Sequence, residues 1–179
     1  ENVVGLGVDT TGSTPIPVDA AGEALALQPE FADNPNAMAW LWKDHTSFQE
    51  AAEITAAARA AHPEYLAKCG GIYSSEWYWA KLLRCARADA AVFGVAASWV
   101  ELADWVPAVL TGTTGLDQVK RCICAAGHKA MFNPAWGGYP DRSFLAGFDD
   151  GVLTRVRDSL PDEAVNIAQS VGTLTEAWA

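Results

Sequence analysis

V-V-G-L-G-V-D-T-T-G-S-T-P-I-P-V-D, Val3 to Asp19, is the stretch on which the reading of this chain turns. Its pattern predicts a buried strand, a tight polar turn and a second short strand. The turn gathers one carboxylate (Asp9), four hydroxyls (Thr10, Thr11, Ser13, Thr14) and Gly12. Glycine lets a ligand approach the backbone closely, and turns of this composition cradle phosphates or sugars. The competing reading is an ordinary β-turn whose Ser and Thr side chains bond to their own backbone.

Bulk properties narrow the classes. The 179 residues are enough for one domain with a real core, and half of them are hydrophobic while 19% are charged. No apolar run reaches the roughly 20 residues needed to span a bilayer. The net charge of −10 argues against a nucleic-acid partner, since Lys120-Arg121 is the main basic cluster. Cys69, Cys85, Cys122 and Cys124 form no C-x-x-C pair, and His45, His62 and His128 are scattered. On a strand, Cys122 and Cys124 would share a face and still lack partners for zinc. Reduced, buried thiols in a cytoplasmic protein are expected, with no metal site.

Outward from the opening stretch, strands are expected at Ala24–Leu27, at Asn36–Trp42 and at Ser98–Leu102. Ser47 with Glu50 reads as a capping box for a helix that stops before Pro63. Gly70-Gly71 breaks the chain, and Ser74 or Ser75 starts a second helix with Trp79, Leu82, Leu83 and Ala86 on its buried face. A helix is expected over Ala103–Leu110, and either a strand or a helix start over Val119–Ala125. Ser143–Phe148 and the residues up to Leu160 read as helical, and Thr173–Ala179 as a helix that runs to the end of the sequence. No cap closes that last helix and the sequence opens on Glu1 without a methionine, so an excised piece of a longer protein is expected. Strands alternating with helices predict an α/β layer architecture.

Four constellations could carry chemistry. The opening turn resembles a phosphate hairpin but is not a Walker loop, because G-x-x-x-x-G-K-[ST] is missing. Trp40-Leu41-Trp42-Lys43-Asp44-His45 sets aromatic faces beside a cation, a carboxylate and an imidazole, a set suited to sugars; as plain structure, the tryptophans are core and His45 helps the helix start. In Tyr73-Ser74-Ser75-Glu76-Trp77-Tyr78-Trp79, Glu76 is expected in the first helical turn, where the helix dipole favours it, or facing a cleft as a hydroxyl acceptor. In Cys124-Ala125-Ala126-Gly127-His128-Lys129-Ala130-Met131, Lys129 is the least surface-like lysine by its apolar neighbours. Together these features suggest a polyol or sugar site.

G-V-D-T-T-G-S-T-P, L-W-K-D-H-T, G-G-I-Y-S-S-E-W-Y-W-A-K-L-L, W-V-E-L-A-D-W-V-P and C-A-A-G-H-K-A-M, in this order over nearly the whole chain, resemble the FGGY carbohydrate kinases, and within them the branch that acts on L-ribulose. The resemblance implies two actin-like, ribonuclease-H-like domains with the active site between them. It places residues 1–179 in the later part of the first, sugar-binding domain. A catalytic aspartate past the last residue, the phosphate hairpin ahead of the first, and a second, nucleotide-binding domain are then implied outside this sequence.

By position, the resemblance implies substrate contacts at Gly12, Ser13, Trp42, Glu76 and Lys129, with Asp44 as a further candidate. A small residue at position 12 leaves room for a five-carbon ketose. The implied reaction is ATP-dependent phosphorylation of L-ribulose to L-ribulose 5-phosphate in arabinose catabolism. ATP and Mg²⁺ would serve the whole enzyme, with none held by this piece, which would be inactive alone. The implied partners are the ketose and the remainder of the kinase chain, with self-association through apolar surface left uncovered. Another pentulose or hexulose kinase of the same family and a non-catalytic sugar-binding or scaffold module are the alternatives.

Overall fold

Residues 3–179 are described by a computed structural model. The strand expected ahead of the Asp9–Thr14 turn does not form. Val3, Val4, Leu6 and Val8 are exposed and irregular, and no described residue pairs with them. Alternation alone makes no strand, since its ladder needs a neighbour.

The second expected strand is present as β1 (Pro15–Val18), with all four residues buried. Only Ile16 and Val18 can donate from its backbone, because prolines occupy the other two positions. The expected strand at Ala24–Leu27 is instead a 3-10 turn over Leu25–Leu27, with Ala24 alone bridging to Val18. Residues 36–42 also contain no strand. Asn34 caps a 3-10 turn over Pro35–Ala37 by accepting from the amide of Asn36 at 2.9 Å, and Trp40 is then buried while Trp42 stays exposed.

Helix α1 (Phe48–Ala61) buries Ala51, Ile54, Thr55 and Ala58, the one-sided spacing of a packed helix, and stops before Pro63. Its expected capping box is absent. Ser47 sits at φ −89°, ψ 30°, outside the extended region of a capping residue, and its hydroxyl donates to Ser75 O at 2.6 Å. Glu50, buried, faces Arg87 at 3.3 Å instead. Helix α2 (Tyr78–Ala88) buries Trp79, Leu82 and Leu83 as expected, and Tyr78, Lys81 and Cys85 besides. Helix α3 (Ala90–Val95) follows after Asp89, whose carboxylate caps it.

Strand β2 (Ser98–Glu101) pairs antiparallel with β1 in the register Pro15↔Glu101, Ile16↔Val100, Pro17↔Trp99, Val18↔Ser98. Ile16, Val18 and Val100 pack on Ala108 and Val119, while Trp99 enters the main helical core with Trp79 and Leu83. With both faces covered, neither strand shows a polar side. Helix α4 (Leu102–Thr111) ends at Gly112 in the left-handed region, and Thr113 N–H reaches back to Ala108 O at 2.9 Å. The ambiguous stretch at 119–125 resolves as the start of α5 (Ile123–Lys129). Short helices α6 (Arg142–Ala146) and α7 (Thr154–Asp158) complete the order. Residues 173–179 form turns rather than a helix, and Thr175 N–H bonds to Leu110 O at 3.0 Å.

The chain is therefore a mixed α/β unit whose described residues hold one short sheet and seven α-helices, without the alternating strands expected of stacked layers. No helix of the described residues is long and apolar enough to cross a membrane. Among the four thiols only Cys85 is fully buried, and burial pushes it up to about 12; Cys69 and Cys122 are half-buried and Cys124 is exposed.

Gly22 closes the turn after β1 at φ +78°, and a β-carbon there would fall 1.8 Å from Thr114 O. Gly22→Ala is therefore expected to destabilise the chain by on the order of 3 kcal/mol, read as a lower urea midpoint with an unchanged slope. A midpoint within error of the parent would contradict this packing.

Candidate functional site

The C-terminus of α5 presents Lys129, and aromatic side chains from the 73–79 segment hold it there. Tyr73 OH donates to Lys129 O at 2.5 Å, Trp79 Nε1 donates to Ala130 O at 2.8 Å, and Trp79 N–H donates to Tyr73 OH at 3.0 Å. The Lys129 ammonium lies 5.4 Å from the centre of the Trp77 ring, a cation–π distance. The side chain is half-buried, so Lys129 is not the deepest lysine; Lys81, fully buried, is.

The Gly12 turn faces this lysine. A β-carbon at position 12 would sit 3.6 Å from Lys129 Cε, in ordinary contact, so a larger side chain there would lie against the lysine. Ser13 is wholly buried, and its hydroxyl donates to Glu101 Oε1 at 2.8 Å, while Thr14 N–H donates to Glu101 Oε2 at 2.7 Å. Ser13 thus presents no free hydroxyl on this face. Its carbonyl accepts from Lys81 Nζ at 2.8 Å, and the same ammonium reaches Leu41 O at 2.7 Å, just ahead of Trp42.

Trp42 is 42% exposed. Asp44 is committed locally, accepting from both the amide and the hydroxyl of Thr46 at 2.7 Å ahead of α1. Glu76 lies in the turn before α2 rather than in its first helical turn, so the helix dipole does not explain it. Its carboxylate is half-buried and lies 3.4 Å from His45 Nε2, whose Nδ1 bonds to Ser75 Oγ at 3.0 Å. The fold thus joins Gly12 directly to Lys129, links Ser13 to the Trp42 loop through Lys81, and pairs Glu76 with His45. Gly12 and Trp42 are exposed and Glu76 and Lys129 half-buried, which makes an open wall rather than an enclosed pocket.

Beneath this wall lies a polar interior with no counterpart in the sequence reading. Burial lowers the Lys81 ammonium to about 8, an effect offset in part by Glu101, Asp44 and Glu76 and reinforced by Lys129. Burial raises the Glu101 carboxyl, against its bonds to Ser13 and Thr14 and the charges of Lys81 and Arg121. Arg121, half of the expected basic cluster, is buried and donates to Trp99 O at 2.9 Å and to Ser98 Oγ at 3.4 Å. The cavity between Tyr78, Asp104, Arg121 and Tyr139 holds about 10 Å³, far too little for a sugar. One signal for Lys81 was available, because it stands in phase with Tyr78, Leu82 and Cys85 on the i, i+3, i+4, i+7 spacing of α2.

Asp104 is the most displaced carboxyl of this interior. Burial raises it from 3.8 to about 7, opposed by Arg121 and the Cys122 amide and aided by Glu101. The folded state therefore holds its proton more tightly than the unfolded chain. That contribution is complete below the unfolded value of 3.8 and is lost as pH rises through about 7. Asp104→Asn keeps an oxygen for the Cys122 amide, bonded at 2.8 Å, and has no proton to lose. Between denaturation at about pH 5 and at about pH 8 the variant should gain on the order of 2 kcal/mol relative to the parent. Parallel pH slopes for the two proteins would refute the assignment.

An open wall with an ammonium, a carboxylate and an exposed indole suits a polyhydroxylated ligand, and comparison with known proteins adds to this. No protein-family profile matches the chain. Curated relatives do, along its whole length. The relatives are ribulokinases. The chain is 48% identical to the ribulokinase of Vibrio parahaemolyticus over 180 residues, covering 100% of this chain and 32% of that protein. It is 37% identical to the ribulokinase of Shouchella clausii, over 99% of the chain and 30% of the relative. The Mycolicibacterium smegmatis ribulokinase is also 37% identical, over 99% of the chain and 31% of the relative. The chain spans about a third of the length of these relatives.

Proposed function

We propose that the complete protein carrying this chain phosphorylates L-ribulose to L-ribulose 5-phosphate at the expense of ATP, and that residues 1–179 are the later part of its sugar-binding, actin-like domain. The carrying observation is the similarity to ribulokinases over the whole chain, at up to 48% identity. The nucleotide-binding domain and the catalytic carboxylate are assigned to the rest of the protein, and the setting to the cytoplasm.

In this reading Lys129 donates to ketose oxygens and Glu76 accepts from a sugar hydroxyl, both from the half-buried wall. The Trp42 ring packs against the apolar face of the sugar. Gly12 leaves the space beside Lys129 that a five-carbon chain occupies. The part of Ser13 is to shape that turn, its hydroxyl being bonded to Glu101. Asp44, tied to Thr46, orders the loop that carries Trp42. Phosphoryl transfer depends chiefly on positioning and charge neutralisation, and these residues supply the positioning of the acceptor. Among the described residues no cluster of His, Cys, Asp or Glu fits a divalent cation, so no ligand to Mg²⁺ is assigned in this chain.

Expression of the complete reading frame should give ATP-dependent ADP release with L-ribulose, at higher kcat/KM than with xylulose or rhamnulose. The 179-residue chain alone should give none. A preference for rhamnulose or xylulose would move the protein to a neighbouring sugar kinase, and ribulose binding without any turnover by the complete protein would favour a binding module.

Within the active protein, Lys129→Met should raise the KM for ribulose by about tenfold or more, the usual worth of a charge-assisted bond, while KM for ATP stays put. Gly12→Leu should weaken ribulose in the same way with a change in unfolding free energy of about 0.5 kcal/mol or less. Equal losses for ATP and sugar would remove Lys129 and Gly12 from the pocket.

A further inference from the structure

Lys81 projects from the buried stripe of α2, where Tyr78, Leu82 and Cys85 are its neighbours in phase. An apolar side chain would pack there without the desolvation cost of an ammonium. What the ammonium does instead is directional. Its Nζ donates to Ser13 O at 2.8 Å and to Leu41 O at 2.7 Å, with Trp40 O at 3.5 Å. Those carbonyls belong to two loops far apart in sequence. Each is followed or preceded immediately by a residue of the proposed sugar wall, Gly12 beside Ser13 and Trp42 beside Leu41.

Glu101 at the end of β2 completes the arrangement. It accepts from Ser13 Oγ at 2.8 Å and Thr14 N–H at 2.7 Å. Ser13 is therefore gripped twice, by the ammonium at its carbonyl and by the carboxylate at its hydroxyl. One other backbone bond ties the same loops, Trp40 N–H to Pro15 O at 3.0 Å, but it lies on the far side of Ser13 from Gly12.

We propose that Lys81, braced by Glu101, is a positioning residue that fixes the spacing between the Gly12 turn and the Trp42 loop, and with it the width of the ketose-binding wall. The last clause rests on the function proposed above; the clamp between the loops does not. The electrostatics agree with this assignment. Burial lowers the ammonium, yet Glu101, Asp44 and Glu76 hold it up against Lys129, so that it stays charged at neutral pH. The Arg121 charge, like that of Lys81, opposes the rise of the Glu101 carboxyl. A charged Lys81 brings all three of its N–H donors to a place where carbonyls converge.

The test compares the complete protein with its Lys81→Met variant, by amide hydrogen exchange without sugar and by steady-state kinetics with L-ribulose and ATP. The amides of Thr14 and Asp44 should exchange about tenfold faster in the variant, while those within α1 change little. KM for ribulose should rise about tenfold with KM for ATP unchanged. Uniform acceleration of every amide, with sugar and ATP affected alike, would make Lys81 a core-packing residue and overturn the proposal. Unchanged exchange at both loops would overturn it as well. Selective loosening in a protein that phosphorylates no ketose would uphold the clamp and sink the kinase reading instead. If the methionine variant does not fold, Lys81→Gln, polar but too short to reach both carbonyls, gives the same pair of readouts.

Discussion

A buried carboxylate and a buried ammonium set the terms for half of this fold. Leaving either unpaired in the interior would cost several kcal/mol, comparable to much of the net stability of a domain. Apart from the Ser13 hydroxyl, the groups that bond to them are backbone amides and carbonyls at specific positions. Ser13, Thr14 and Leu41 must lie where they do because Glu101 and Lys81 lie on β2 and α2. The loops of the wall are thus held by polar geometry, while hydrophobic contact holds the helices beneath. Apolar packing tolerates a shift of half an ångström far better than a hydrogen bond at 2.7 Å does. That difference suits loops that must be placed accurately on an otherwise helical frame.

Helices were the legible part of the fold. The stripe of Trp79, Leu82 and Leu83, the stop before Pro63 and the glycine after α4 each express a local rule that tertiary structure did not override. Strands were legible only where a partner existed. Pro15–Val18 and Ser98–Glu101 find each other, whereas Val3–Val8 and Asn36–Trp42 form no ladder, the latter making the single backbone bond from Trp40 N–H to Pro15 O. The expected helix over Thr173–Ala179 failed for a related reason. A short segment does not stay helical without a face to bury, and Thr175 is drawn instead into a backbone bond with α4.

The motifs of the wall were legible, and the fold brings Gly12 and Lys129, far apart in sequence, next to each other. Its support was not. Lys81, Glu101, Asp104 and Arg121 are letters that ordinarily mark surface, and no composition rule distinguishes a buried arginine from an exposed one. Position within a helical stripe does so for Lys81. For Arg121 the contacts to Ser98 and Trp99 depend on the path of a strand more than 20 residues earlier, as the separation of 22 shows. Ser13 illustrates the same limit at the scale of one side chain. A hydroxyl in a polar turn looks available until Glu101 is seen to hold it.

The distance along the chain between Ser13 and Glu101, 88 residues, has a consequence for how the molecule is made. On a ribosome this turn emerges well ahead of both of its anchors, Lys81 and Glu101. Until Lys81 and Glu101 leave the exit tunnel the clamp on Ser13 cannot close, and bringing together the ends of so long a loop carries an entropic cost. The turn at Gly12 to Thr14 is therefore locked by residues made long after it.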